Sequence, residues 1–312
     1  MRKLIVLTAA LLSAGLASPR ESGAGDKPKP SKAPPGTGEL HLRLGDHKLE
    51  VFTYRPKNFD PKHGPMILTF HGQARDPEHY RDAAVKLAEQ CKGIVIAPLF
   101  NEEQFPGQKY MHGNVMAKGK VLPESEWAFG LVPKLIEEVR KIEGRPQMPY
   151  YLLGHSGGGQ FVMRLMAFTK LEPIEAVAAN PGSLLFPTTD LPYPYGFGQL
   201  PESLGGTKRL KAFLAARLTL YSGTSDNDPN HPELDHRPNA EKQGPHRLAR
   251  ARNAFRLAEK VAQSEGWTCK WRLVEAPGVA HNGPKMLAHP QCRVALFDRP
   301  GRPFHAAGGD PR

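Results

Sequence analysis

Residues 150–166, YYLLGHSGGGQFVMRLM, pass from an apolar run through four glycines and one serine into a second apolar run with no charge until Arg164. The first part reads as a buried strand and the last as a helix, with a tight turn between them. Gly154-His155-Ser156-Gly157-Gly158 fits G-x-S-x-G, and glycines on both sides of a serine let neighbouring backbone pass where a Cβ would clash. Such a turn projects the Ser156 hydroxyl at the N-terminus of the following helix, whose free N–H groups favour negative charge. A phosphate cradle is the competing reading. It lacks the Gly-Lys-Ser/Thr that should follow.

Outward from this turn, strand-like and helix-like segments alternate. Residues 38–56 alternate polar and apolar about Gly45-Asp46, the pattern of an antiparallel hairpin. Residues 65–72, 93–100, 149–154, 174–180, 217–223 and 269–278 read as strands, with helices over 78–91, 126–142, 160–168 and about 245–264 between them. This order predicts an α/β fold, a mostly parallel central sheet with helices on both faces and an N-terminal antiparallel hairpin. Function in such sheets collects at the carboxyl ends of the strands.

A serine hydroxyl needs a base, and the base needs an orienting acid. His281, in a Pro/Gly-containing loop after the last strand, is the histidine best placed to reach Ser156; His155, within the turn, should point away from the crevice. Asp226 and Asp228 both follow the strand at 217–223. Asp226 is favoured because G-x-x-D puts it directly after the strand, while Asp228 before Pro229 suits an Asx turn. A calcium loop through Asp226, Asp228 and Asn230 fails at His231, where glycine is required, and at Arg237, where a bidentate glutamate is required. Attack on a carbonyl also requires donors for an oxyanion. The backbone N–H groups of Gly157 and of Gln73, in His71-Gly72-Gln73 after an earlier strand, are the candidates.

The order of these motifs, His-Gly loop, G-H-S-G-G, strand-Gly-x-x-Asp and Pro-Gly-Val-x-His, resembles the α/β-hydrolase superfamily, and within it the secreted polyhydroxybutyrate-depolymerase-like and feruloyl-esterase-like serine esterases. FNEEQFPGQKYMHGN, AANPGSLLFP, PYPYGFG and AEKQGPHRLARARNAF are similar to a bacterial branch of that group, and the resemblance runs from about Leu40 to Ala295. It implies a Ser156–His281–Asp226 triad with Gly157 and Gln73 as oxyanion donors, acting on carboxylic esters without a cofactor. Two departures, HGQ instead of a run of glycines and three glycines after the serine, bear on acyl and alcohol preference more than on the reaction. Peptide hydrolysis by the same triad, and a non-catalytic polysaccharide binder on the same fold, are the alternatives.

Residues 183–217 form a connection longer than usual, containing Phe186, Tyr193, Tyr195 and Phe197, and are expected to make a small lid or cleft wall, with Tyr195 a candidate substrate contact; the same aromatics could equally bury the insertion against the body. Phe105 and Tyr110, after another strand, are further candidates for binding acyl or phenolic groups.

The 312-residue chain is 39% hydrophobic, enough for one core, so residues 38–297 are read as a single catalytic domain. Residues 1–17 place Arg2 and Lys3 before a short apolar run and small residues, the layout of a cleaved secretory signal, which implies a secreted or periplasmic protein without lasting membrane insertion. Residues 18–37, rich in Pro and Lys, are expected to be a disordered spacer, and 298–312 a flexible tail. The net charge of +11 is spread along the chain. Its one cluster, HRLARARNAFR at 246–256, reads as a solvated helix face, so a nucleic-acid partner is not expected. Of three cysteines, Cys269 and Cys292 are the plausible disulfide pair, with Cys91 a buried thiol; three free buried cysteines are the alternative. No Cys/His spacing suggests zinc.

Overall fold

A computed structural model describes residue 32 and residues 34–299; the signal and most of the spacer and of the tail fall outside the described residues, and the last two spacer residues, Gly36 and Thr37, already belong to a strand. The described residues form ten strands: β1 (Gly36–Leu44), β2 (His47–Arg55), β3 (Met66–Phe70), β4 (Ile94–Pro98), β5 (Met116–Ala117), β6 (Lys120–Val121), β7 (Tyr150–His155), β8 (Ala176–Ala179), β9 (Leu218–Gly223) and β10 (Arg272–Ala276). Eight of them form one sheet in the order β1-β2-β4-β3-β7-β8-β9-β10; β5 and β6 make a separate small ladder. The pairs β1/β2 and β2/β4 are antiparallel and every other pair of the large sheet is parallel. The alternation of strand-like and helix-like segments predicted this architecture, hairpin included.

The parallel strands read as unbroken apolar runs because both of their faces are covered. In β3, Met66, Leu68 and Phe70 point into one core cluster while Ile67 joins the other; β7 divides likewise, Leu152 to one side and Tyr151 and Leu153 to the other. The first cluster is closed by α4 (Leu131–Glu143), α5 (Gly157–Phe168), α7 (Thr207–Leu214) and α9 (Arg247–Glu265). The second is closed by α1 (Pro77–Ala83), α2 (Val85–Cys91), α10 (Gly283–Ala288) and α11 (Pro290–Phe297). Short helices α3 (Gly107–Met111), α6 (Glu202–Gly205) and α8 (Pro238–Glu241) sit in loops. The helix expected over 78–91 is two helices meeting at Ala84, and Pro133 stands inside the first turn of α4, where its missing N–H costs nothing.

The structure corrects two expectations. Cys91, Cys269 and Cys292 are all free thiols. The basic cluster is not a solvated face throughout: Arg247 and Arg250 are buried, and only Arg252 and Arg256 of its arginines in α9 are exposed. Arg247 shares the buried i, i+4, i+7 stripe of α9 with Ala251, Ala254 and Ala258. No helix among the described residues is long and apolar enough to cross a membrane.

Candidate active site

The carboxyl ends of β3, β7, β9 and β10 bring the sequence-predicted residues together. Ser156 sits between β7 and α5 at φ 55° and ψ −115°, a region that suits glycine and strains a side-chain-bearing residue. The glycines around it are there for contact. A Cβ on Gly154 would stand 2.2 Å from the Gly158 carbonyl oxygen, one on Gly158 2.1 Å from that of Phe70, and one on Gly159 2.6 Å from that of Ala179. Helix α5 therefore lies directly on β3 and β8, and its first turn is pinned beneath the serine. Gly158→Ala should destabilise the fold by about 1–3 kcal/mol through overpacking, read as a lower urea midpoint at unchanged m-value.

Ser156 Oγ lies 3.0 Å from His281 Nε2, and His281 Nδ1 lies 2.8 Å from Asp226 Oδ2. A carboxylate only accepts, so Nδ1 carries the proton and Nε2 is free to accept from the serine hydroxyl. Asp226 is buried, and its other oxygen accepts from Arg247 Nη1 at 3.2 Å. Asp228 is exposed and accepts from the Asn230 N–H at 2.8 Å, closing its own turn. Burial drives the Arg247 pKa down and the Asp226 carboxylate beside it opposes the shift.

Three further residues hold His281 in place. Asn180, at the end of β8 with φ 43°, accepts from Gly223 N–H at 2.8 Å and donates to the Ala280 carbonyl at 3.5 Å, tying the His281 loop to β9. His155 lies buried under the turn, its ring 4.9 Å from that of His281 and its Nδ1 3.0 Å from the Tyr80 hydroxyl. Burial, followed by the nearby His281 and Arg247, holds the His155 pKa well below the usual range, so a neutral ring backs His281.

The loop after β3 is fixed from below. His71 Nε2 accepts from the Phe100 N–H at 3.0 Å while Nδ1 donates to the Gly72 carbonyl at 2.8 Å, and Tyr110 donates to the His71 carbonyl at 3.0 Å. Arg75 reaches across to the carbonyls of Phe100 and Phe105, at 2.7 and 2.8 Å, and to Glu102. These contacts hold Gln73 beside the start of α5: a Cβ on Gly157 would lie 3.5 Å from the Gln73 backbone nitrogen. The two backbone amides expected to serve an oxyanion are thus neighbours next to Ser156.

Burial lowers the His71 pKa from 6.5 to about 4. The folded state therefore binds fewer protons than the unfolded chain at mildly acid pH. The stability carried by neutral His71 is full above pH 6.5 and lost as pH falls toward 4. Buried His112 and His155, shifted in the same direction, add to this loss. From His71 alone the loss between pH 7 and 5 is about 2 kcal/mol, and urea melts at the two pH values should show it; equal midpoints would contradict a buried neutral His71.

The aromatic candidates behave differently. Phe105 and Tyr110 are buried, packed on Phe100 with ring centroids 5.1 Å away, and so form the floor under the β3 loop instead of a wall open to substrate. Tyr195 is buried with Phe186 and Phe197 in the core and donates to Asp235 Oδ2 at 3.0 Å. These rings fasten residues 183–217 to the body, and Tyr195 has no open face for a ligand.

Sequence reasoning missed Arg247, Asn180, Arg75 and Tyr80. The clue to Arg247 was its place on the apolar stripe of α9. Asn180, Arg75 and Tyr80 act through contacts with distant parts of the chain that no local pattern encodes.

An eight-stranded, mostly parallel sheet with a strained serine between strand and helix, a histidine after the last strand and an acid after the preceding one defines an α/β hydrolase. Solved structures agree. Poly(aspartic acid) hydrolase-1 from Sphingomonas sp. KT-1 is 33% identical, with 81% of this chain and 96% of that one covered at a TM-score of 0.76. LpqC, a poly(3-hydroxybutyrate) depolymerase from Bordetella parapertussis, is 31% identical over 81% and 88% of the two chains at 0.74. The siderophore hydrolase EstB from Aspergillus nidulans, 16% identical over 87% and 98% at 0.51, shares the fold. No protein-family model matches the chain, and no curated protein matches it. The chain belongs to the α/β-hydrolase superfamily, among its polyhydroxybutyrate-depolymerase-like hydrolases.

Proposed function

We propose that this chain is an exported serine hydrolase of carboxylic esters. One observation carries the reading: Ser156 Oγ, His281 Nε2, His281 Nδ1 and Asp226 Oδ2 form a continuous hydrogen-bonded line at 3.0 and 2.8 Å, beside the neighbouring backbones of Gly157 and Gln73. Ser156 attacks the ester carbonyl as its proton passes to His281 Nε2. Asp226 holds the tautomer and offsets the imidazolium, and the Gly157 and Gln73 N–H groups receive the developing oxyanion. His281 then protonates the departing alcohol. Water, activated by the same nitrogen, frees the acid and restores Ser156, so the residues present suffice for the whole cycle.

Export rests on residues 1–17 alone. Likeness to a poly(3-hydroxybutyrate) depolymerase favours a polymer-derived ester. Likeness to a poly(aspartic acid) hydrolase favours a second reading, amide hydrolysis by the same triad. Rapid mixing with p-nitrophenyl acetate tests the acyl-enzyme step: a burst of p-nitrophenol equal to the enzyme concentration is expected. A linear release with no burst, unchanged in Ser156→Ala, would contradict it. Aryl, feruloyl, acetyl-xylan and polyester substrates, run beside poly(aspartic acid), then identify the natural bond.

A further inference from the structure

The triad does not use every charge at its centre. Glu233, in the loop between β9 and α8, places Oε2 3.8 Å from His281 Nε2. Its side chain is 58% exposed, and among the described residues no lysine or arginine pairs with it. Asp226 differs on each point: it is buried, is matched by Arg247 and faces the opposite nitrogen of His281. The backbone sets the position of Glu233. Its N–H donates to His231 Nδ1 at 3.2 Å, and the His231 ring stands edge-on to that of His281 with centroids 5.1 Å apart. Arg247 Nη2 lies 3.4 Å from the same His231 nitrogen, but its charge already faces Asp226.

His281 Nε2 is the atom that, on the ester-hydrolase reading on which this inference rests, protonates the departing oxygen. That oxygen must come within about 3 Å of it. A carboxylate 3.8 Å from the same nitrogen then borders the alcohol half of the substrate and not the acyl half. We propose that Glu233 is a specificity-determining residue that reads the charge of the leaving alcohol, accepting neutral or cationic groups and rejecting those with a carboxylate a few atoms from the ester oxygen. For a polyester of hydroxy acids, the ester next to the free carboxyl end is the disfavoured one. Cleavage then falls on internal bonds or on capped ends.

Two substrate pairs test this. The first is the 3-hydroxybutyrate dimer as methyl ester and as free acid; the second is acetylcholine and its neutral isostere 3,3-dimethylbutyl acetate. In the wild-type chain the methyl ester and the choline ester should show the higher kcat/KM of each pair, by on the order of tenfold for unit charges at this separation in a half-exposed site. Both ratios should shrink toward one in Glu233→Gln, reverse in Glu233→Lys, and weaken with added salt in the wild type. Ratios that stay put in both variants while all four esters are cut would overturn the role of Glu233 alone. A wild-type chain that cuts none of them would overturn the ester-hydrolase reading, and this inference with it.

Discussion

Ser156→Ala should lower the turnover of short p-nitrophenyl esters by roughly 10⁵-fold or more, to the residual level set by binding and the oxyanion donors. The expectation follows from geometry. Among the described residues Oγ of Ser156 is the one hydroxyl bonded to His281 Nε2. Folding should be nearly untouched, because the alanine keeps the backbone contacts of the turn. The φ of 55° leads to a second result. Ser156→Gly should be as inactive as Ser156→Ala yet more stable than it by about 1 kcal/mol, since glycine adopts this conformation without the strain a Cβ brings. A glycine variant no more stable than the alanine variant would mean that the turn is relaxed and that its strain has no part in presenting the hydroxyl.

Asp226→Asn should reduce kcat by about 10⁴-fold, because an amide that donates to His281 Nδ1 forces the proton onto Nε2, where it can no longer accept from Ser156. The same change should lower stability. Arg247, 1% exposed, loses the negative partner 3.2 Å away and keeps only a neutral oxygen, at a cost of about 1–3 kcal/mol. The two effects are separable. Adding Arg247→Met should recover much of the stability by removing the buried charge, and should recover none of the activity. Asp228→Asn is the matched control: its side chain is exposed and closes a local turn that asparagine closes equally well, so activity should change by less than a few-fold. Equal losses in the two asparagine variants would contradict the geometry at His281.

The fold and the turn at Ser156 were legible in the sequence where chemistry and backbone demand coincide. Four glycines around a serine, an apolar strand before it and an apolar helix after it leave little choice of turn, and the structure supplies the clashes that a missing Cβ avoids at Gly154, Gly158 and Gly159. The parallel strands and the hairpin followed from apolar runs buried on two faces and from one alternating segment. What failed were inferences that needed partners from distant parts of the chain. Arg247 and Arg250 looked like solvent charges because residue type outweighed periodicity; one meets Asp226 and the other the Gly182 and Gly244 carbonyls, and none of these lies on the helix that carries them. Phe105, Tyr110 and Tyr195 looked like cleft walls because loops after strands often carry substrate contacts, whereas here they fill space beneath those loops. Glu233 offered no motif at all. Its place beside His281 depends on how the loop after β9 folds back.

The central claim, that Ser156 is the nucleophile of this hydrolase, is tested most directly by labelling the intact protein with a fluorophosphonate and mapping the adduct by mass spectrometry. A single adduct on Ser156 is expected, lost in Ser156→Ala and in His281→Ala. An adduct on another residue, or ester hydrolysis that persists in a chain whose Ser156 stays unlabelled, would contradict it.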